Sequence, residues 1–349
     1  MPASIDSALQ DWKWRPPAHW TRITTVDMHT GGEPLRVLLS GMPPLEGDSV
    51  LEKVRYFREH YDYIRTGLIW EPRGHADMYG AVVTTSRNAD FDVFFLHNEG
   101  YSTMCGHAII ALTTLAFDTG LIDKKDSATE IAFAVPAGIV KARATFEDSR
   151  VREVAFRNVP SFLYRRDEEV DVTGLGRVRF DVAYGGAFYA IVEAAPLGLD
   201  LTASHYDRLI DYGRRIKHAV QERFTIEHPL EKDLSFLYGT IFTGAPHEAG
   251  HHSRNVCVFA NGEVDRSATG SGVSARAALH VAKGELRLGE TITIESITGS
   301  TMNVCAAERT RFASYEAIVP EVSGRAFITG TNTFYFDPED DFRQGFILR

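Results

Sequence analysis

Two stretches of this 349-residue chain, Gly106–Phe117 and Gly270–Ala282, carry helical periodicity yet are small and apolar nearly all round. A helix without a polar face has no side to give to water, so each is predicted to run through the middle of its own sheet-rich unit. Similar short segments lead into both. Ser102-Thr103-Met104-Cys105-Gly106-His107 opens the first, and Arg266-Ser267-Ala268-Thr269-Gly270-Ser271 opens the second, 269 − 105 = 164 residues later. Two similar halves are therefore predicted, with a crossing between them near Asn158-Val159-Pro160-Ser161, where Asn and Pro interrupt the strand pattern.

Most of the remaining pattern is β. Short β-branched and aromatic runs bounded by Gly, Asn, Asp and Pro predict strands at Thr21–Val26, Leu35–Leu39, Ala81–Thr85, Phe91–Leu96, Glu130–Ala134 and Val151–Arg157. Others follow at Tyr189–Glu193, Thr240–Thr243, Asn255–Phe259, Thr291–Glu295 and Arg325–Thr329. Amphipathic helices are predicted over Val50–Arg65 and His205–Glu222. The length, about twice the usual domain size, suits two units of an α/β (α+β) protein.

Charge and composition remove several functions. Lys and Arg total 37 against 47 Asp and Glu, a net charge of −10, so the chain gains no counterion-release energy from a phosphate backbone and nucleic acid is excluded as a partner. No uncharged apolar run reaches the ~18 residues of a membrane span. The N-terminal twenty residues are broken by charges, three Pro and three Trp, and no targeting segment is read there. Three widely spaced cysteines, Cys105, Cys257 and Cys305, form neither a disulfide framework nor a CxxC pair, which points to a reducing, cytoplasmic compartment.

The chemistry is expected at the two helix starts. A cysteine at Cys105 would place its sulfur near unpaired N–H groups and the positive end of the helix dipole, conditions that favour thiolate; the alternative is a buried small hydrophobe. The run Asp265-Arg266-Ser267-Ala268-Thr269-Gly270-Ser271-Gly272 is a ready anion site, or else a helix cap in which Ser267 or Thr269 serves its own N-terminal donors. His247-Glu248-Ala249-Gly250-His251 matches the H-E-x-x-H zinc pattern, but Pro246, Gly250 and His252-Ser253 deny it a helix, and a polar surface loop is predicted instead. Cys257 and Cys305 read as packing residues of strands. The pairs Gly31-Gly32 and Gly185-Gly186 read as tight turns with no nucleotide fingerprint.

Several stretches together carry a resemblance: Asp27-Met28-His29-Thr30-Gly31-Gly32-Glu33-Pro34, Arg73-Gly74-His75-Ala76-Asp77-Met78-Tyr79-Gly80, Met104-Cys105-Gly106-His107, Asn158-Val159-Pro160-Ser161-Phe162, Tyr184-Gly185-Gly186 and Asp265-Arg266-Ser267-Ala268-Thr269-Gly270. From about Val26 to Pro338 the chain resembles the proline racemase family. The resemblance implies the diaminopimelate-epimerase-like fold, two pseudo-symmetric halves each wrapping a sheet around a central helix. The halves would comprise residues 1–158 with about 330–349, carrying Cys105, and residues 159–329, carrying Thr269.

Racemases of this family place a cysteine at each helix start; here Thr269 occupies the second position. A hydroxyl does not ionise near neutral pH without its own base, so a symmetric two-base shuttle is excluded. The Cys-plus-Thr pattern implies a hydro-lyase that dehydrates trans-3-hydroxy-L-proline to Δ1-pyrroline-2-carboxylate without a cofactor or metal. The resemblance also implies Cys105 and Thr269 as catalytic, with Tyr79, Gly106, His107, Asp265, Gly270 and Ser271 binding a small imino acid. A racemase or epimerase with another second base, and a non-catalytic imino-acid binder, stand as alternatives; the oligomeric state, a homodimer among the options, is open.

Overall fold

The computed structural model describes residues 13–123 and 128–348. The first twelve residues, and with them much of the stretch read as lacking a targeting segment, lie outside the described residues. Four α-helices are present among those described: α1 (Val50–Ile69), α2 (Gly106–Asp118), α3 (Tyr206–Arg223) and α4 (Gly270–Lys283). The α1 helix starts on a capping box, with the Ser49 hydroxyl accepting from the Glu52 N–H while the Glu52 carboxylate accepts from the Ser49 N–H at 2.9 Å. It runs four residues past the predicted end at Arg65. None of the helices is long and apolar enough to cross a membrane.

Each predicted strand is present, with only Arg325 left just outside its element. Seven further strands among the described residues were not legible: the short Gly100–Ser102 and Glu263–Val264, and the longer Gly138–Glu147, Ser161–Val172, Gly176–Tyr184, Thr301–Phe312 and Tyr315–Gly324. The outward positions of the longer ones carry charge and their inward ones are often small. In Gly138–Glu147 the buried face is Val140, Ala142 and Ala144, against exposed Lys141 and Arg143. Tyr315–Gly324 even contains Pro320, a residue that usually demotes a strand.

The pairing repeats in the two halves. In the first, strand Glu33–Ser40 runs parallel to Tyr79–Thr85 across α1, Tyr79–Thr85 pairs antiparallel with Phe91–His97, and Phe91–His97 runs parallel to Ala128–Val135 across α2. In the second, Phe188–Glu193 runs parallel to Leu237–Gly244 across α3, which pairs antiparallel with Ser253–Phe259, itself parallel to Thr291–Glu295 across α4. The repeat therefore spans whole halves, with α2 and α4 as equivalent central helices. Every residue from Gly106 to Phe117 is buried, as is every residue from Gly270 to Leu279, which is why neither helix needs a polar face.

The chain exchanges strands between halves. Ser161–Val172, which follows the first half, pairs with Gly176–Tyr184 of the second; Ala326–Phe336, which follows the second half, pairs with Thr21–Thr30 of the first. The tight-turn readings hold at both Gly pairs. Gly31 and Gly32 take φ +60° and +90° between paired Thr30 and Glu33, and Gly186 takes φ +100° between paired Tyr184 and Phe188. Each tip docks on the opposite half: the Gly31 carbonyl accepts from the Ser300 hydroxyl at 2.9 Å, and the Gly186 carbonyl accepts from the Thr103 hydroxyl at 2.6 Å.

The two central helices meet start to start. A Cβ added to Gly106 would lie 2.6 Å from the Gly270 Cα and 2.9 Å from the Phe156 ring, and one added to Gly270 would lie 2.6 Å from the Gly106 Cα. Backbone on one side cannot yield to a methyl group on the other. A Gly106→Ala variant is expected to lose about 1–3 kcal/mol, the usual cost of overpacking, read as a lower urea midpoint. An unchanged midpoint would contradict the close approach.

Candidate active site

Where the helix starts meet, a narrow cavity of about 20 Å³, room for roughly one water, is lined by residues of both halves. All eight residues singled out from the sequence line it: Tyr79, Cys105, Gly106, His107, Asp265, Thr269, Gly270 and Ser271. Glu33, Met104, Tyr189, Tyr238 and Phe259 line it as well and were not foreseen. Glu33 lay inside a quoted motif, so a signal existed. The aromatic residues sit on strands whose apolar pattern says only that they are buried.

Cys105 and Thr269 are the residues immediately before their helices, and neither side chain caps its own helix. The cap reading of the Thr269 hydroxyl is thus not realised. The first N–H groups of each helix have no intrahelical partner, so two sets of donors and two positive dipole ends converge on one spot. Thr269 holds φ +66°, a left-handed conformation that a β-branched residue adopts only under strain of about 1–3 kcal/mol. Its surroundings enforce it: the Thr269 N–H donates to the Ser267 hydroxyl at 3.1 Å, and the Asn255 amide donates to the Ala268 carbonyl at 2.8 Å.

The electrostatics of the thiol differ from the expectation of a simple helix-start thiolate. Burial pushes the Cys105 pKa up, the neighbouring Asp265 and Glu33 carboxyls push the same way, and the Ala108 N–H pulls it down. In the protein alone burial wins. The Cys105 sulfur lies 3.1 Å from His107 Nδ1, and burial drives the His107 pKa down to about 3, so that ring is neutral. The Pro34 carbonyl is near enough to oppose that shift, and a neutral imidazole keeps one nitrogen able to accept the thiol proton.

Asp265 accepts from the Ser267 N–H at 2.7 Å, and burial pushes its pKa up to about 6 against the pull of the Ser267 and Thr269 groups. The Thr269 hydroxyl is close enough to Asp265 to lower that value, but it has no well-aligned hydrogen bond and is a buried oxygen without a partner. Tyr79 stands edge-on to the His107 ring at 4.9 Å between centroids, with its hydroxyl bonded to Ser102. The Ser271 hydroxyl is taken by Tyr189 at 2.7 Å, leaving its backbone N–H as the group it can offer a ligand.

The zinc-like run is a loop, as its composition predicted. The His247 and Glu248 N–H groups and the His251 ring all bond to the buried Glu295 carboxylate, which also meets Arg254 at 2.9 Å. Cys257 is fully buried on its strand, in keeping with packing, yet lies near enough to Asp265 and Thr269 to feel both.

Comparison with known proteins agrees with this geometry. Residues 25–347 match the family model for proline racemase. The chain belongs to the proline racemase family. It is 47% identical over 348 residues to a trans-3-hydroxy-L-proline dehydratase of Colwellia psychrerythraea, covering 98% of each chain. It is 46% identical over 335 residues to the human protein of that name, covering 94% of this chain and 95% of that one. Among solved structures, a hydroxyproline epimerase of Agrobacterium vitis with bound trans-4-hydroxy-L-proline is 29% identical with a TM-score of 0.88, covering 94% of this chain and 96% of that chain. The fold is accordingly the diaminopimelate-epimerase-like one of this family, with a sheet around a central helix in each half.

Burial makes a prediction about thiol reactivity. Iodoacetamide at neutral pH should label the half-buried Cys305 well before Cys105 and Cys257, which are 5% and 0% exposed. Peptide mass spectrometry reads the order, and early labelling of Cys105 would contradict a closed cavity.

Proposed function

We propose that this chain is a trans-3-hydroxy-L-proline dehydratase, a hydro-lyase that forms Δ1-pyrroline-2-carboxylate. One observation carries the reading: a sulfur and a hydroxyl, Cys105 and Thr269, face one cavity from two abutting helix starts. Two relatives of that name, 46–47% identical over nearly the whole chain, support it.

The substrate carboxylate lies between the helix starts. There the N–H groups of Gly106, His107, Gly270 and Ser271 stabilise the charge that spreads onto it as the Cα proton leaves. Asp265 receives the ring ammonium. That pairing also cancels the carboxylate charge that raises the Cys105 pKa, so substrate itself eases thiol ionisation. Cys105 thiolate takes the Cα proton, the C3–O bond breaks, and the enamine tautomerises to the cyclic imine. Thr269 is no base, so the Cα carbanion meets no proton donor of matching strength on its other face, and elimination is favoured over inversion. Tyr79 covers the ring.

An imino acid needs more room than the cavity provides, so the halves part to admit it and close to exclude water. We assign residues 1–158 with about 330–349 to one half and 159–329 to the other. The reaction needs only side chains and backbone N–H groups of this chain, which supports cofactor independence. Unpaired cysteines support a cytoplasmic location, and a homodimer is the assembly to test by sedimentation.

Offering L-proline, trans-4-hydroxy-L-proline and trans-3-hydroxy-L-proline separately, with an aromatic amino-aldehyde to trap the imine, is expected to give adduct only with the third. Recovery of a Cα-inverted imino acid without imine would show an epimerase instead. Cys105→Ser should lose about 10³-fold or more of turnover, whereas a mere binder would keep its affinity. Thr269→Cys should gain Cα epimerisation, seen as deuterium-labelled D-isomer in deuterated water. Because Asp265 must be ionised to hold the ammonium, kcat/KM should fall as pH drops through about 6, and Asp265→Asn should remove that limb.

A further inference from the structure

We propose that Glu33 is the acid that protonates the departing 3-hydroxyl, a role that rests on the dehydration reading above. Hydroxide is a poor leaving group, so a proton must reach the C3 oxygen as its bond to carbon breaks. The cavity has few groups able to give one. Cys105 is occupied with the Cα proton, Asp265 is ionised to hold the ammonium, and the Tyr79 and Tyr189 hydroxyls are engaged with Ser102 and Ser271. Burial makes the Tyr238 hydroxyl a still weaker acid than a free phenol, the neutral His107 ring lies against the Cys105 sulfur, and an alcohol such as Thr269 is a weak acid.

Glu33 meets the requirement by its position. It follows the Gly31-Gly32 turn, which carries it from the first half onto the loop before α4, and its side chain is fully buried while lining the cavity. One carboxyl oxygen accepts from the Arg266 N–H at 2.7 Å. The other, Oε1, is buried and has no partner at all. A bare carboxylate oxygen in that place would be costly, whereas a protonated one is a donor awaiting an acceptor.

Its neighbours favour the acid form. Burial raises the Glu33 pKa well above the ordinary carboxylate value, the nearby Asp265 and Asp77 carboxylates raise it further, and Arg266 opposes them through both backbone and charge. Cys105 and Cys257 are the other titrating groups that feel it. Two carboxyls thus share one cavity with different tasks, Asp265 ionised and Glu33 protonated.

The step balances. Cys105 sulfur gains the Cα proton, the Cα–H electron pair becomes the Cα=C3 bond, the C3–O pair stays with oxygen, and the Glu33 proton completes water. Solvent then returns a proton to Glu33 and removes one from Cys105.

The test uses the isosteric Glu33→Gln variant in deuterated water with trans-3-hydroxy-L-proline. Dehydration should fall by about 10²-fold or more, while deuterium still enters Cα of the recovered substrate, because Cys105 continues to work. With trans-3-fluoro-L-proline, whose fluoride leaves with little help from an acid, the variant should stay within a few-fold of the parent. Loss of exchange together with dehydration, an equal loss on both substrates, or no loss, would each overturn the assignment. A second measurement avoids any folding defect: in the unsubstituted enzyme kcat/KM for the hydroxy substrate should fall on the basic side along a limb missing for the fluoro substrate. Identical basic limbs would overturn it. Absence of any hydroxyproline dehydration by the unsubstituted enzyme would instead remove the underlying reading.

Discussion

Contact between two glycines governs the centre of this molecule. Gly106 and Gly270 let α2 and α4 approach backbone to backbone, start to start, which no pair of side chains would permit. Two helix dipoles of the same sign are brought together, an arrangement that is unfavourable unless negative charge lies between them. The fold accepts that cost because both helices are buried along nearly their whole length in sheets that leave no other place for their ends. Anion affinity is thus a consequence of packing, present before any particular side chain is chosen.

On this nearly symmetric frame the chemistry is made unequal by a few atoms. The first helix start carries sulfur and the second a hydroxyl; the first half contributes the Glu33 carboxyl and the second the Asp265 carboxyl. Burial acts on all of them at once, raising the pKa of thiol and carboxyls alike. The protein alone is consequently a poor base, and under the proposed dehydration it is the charge of the arriving imino acid that redistributes its protons. The strained φ of Thr269 belongs to the same design, since it aims a hydroxyl inward where the helix-capping geometry would have turned it aside.

Much of this was legible in the sequence, for identifiable reasons. Central helices announce themselves by lacking a polar face, and the loops before them by small residues and hydroxyls at a helix start. The strands at Gly138–Glu147 and Ser161–Val172 were hidden because charge on the solvent face masks alternation with small or scattered inward residues. Glu33 was hidden differently: a carboxyl beside a Gly-Gly turn is ordinarily solvated, and only docking of that turn on the other half buries it. The direction of the Cys105 pKa also needed three dimensions, since the helix-start effect is local and the desolvation that outweighs it is not.

The exchanged strands say something about origin. Each half is completed by the strand that follows the other: Ser161–Val172 serves the second half, and Ala326–Phe336 serves the first. If the repeat arose by duplication of one gene, its ancestor was a single half whose last strand had no place in its own sheet. Two such molecules would have traded tails to be complete, a reciprocal swap of the kind that makes dimers at low cost. The shared cavity at their junction would then have existed with identical groups on both sides before fusion into one polypeptide freed the two copies to diverge.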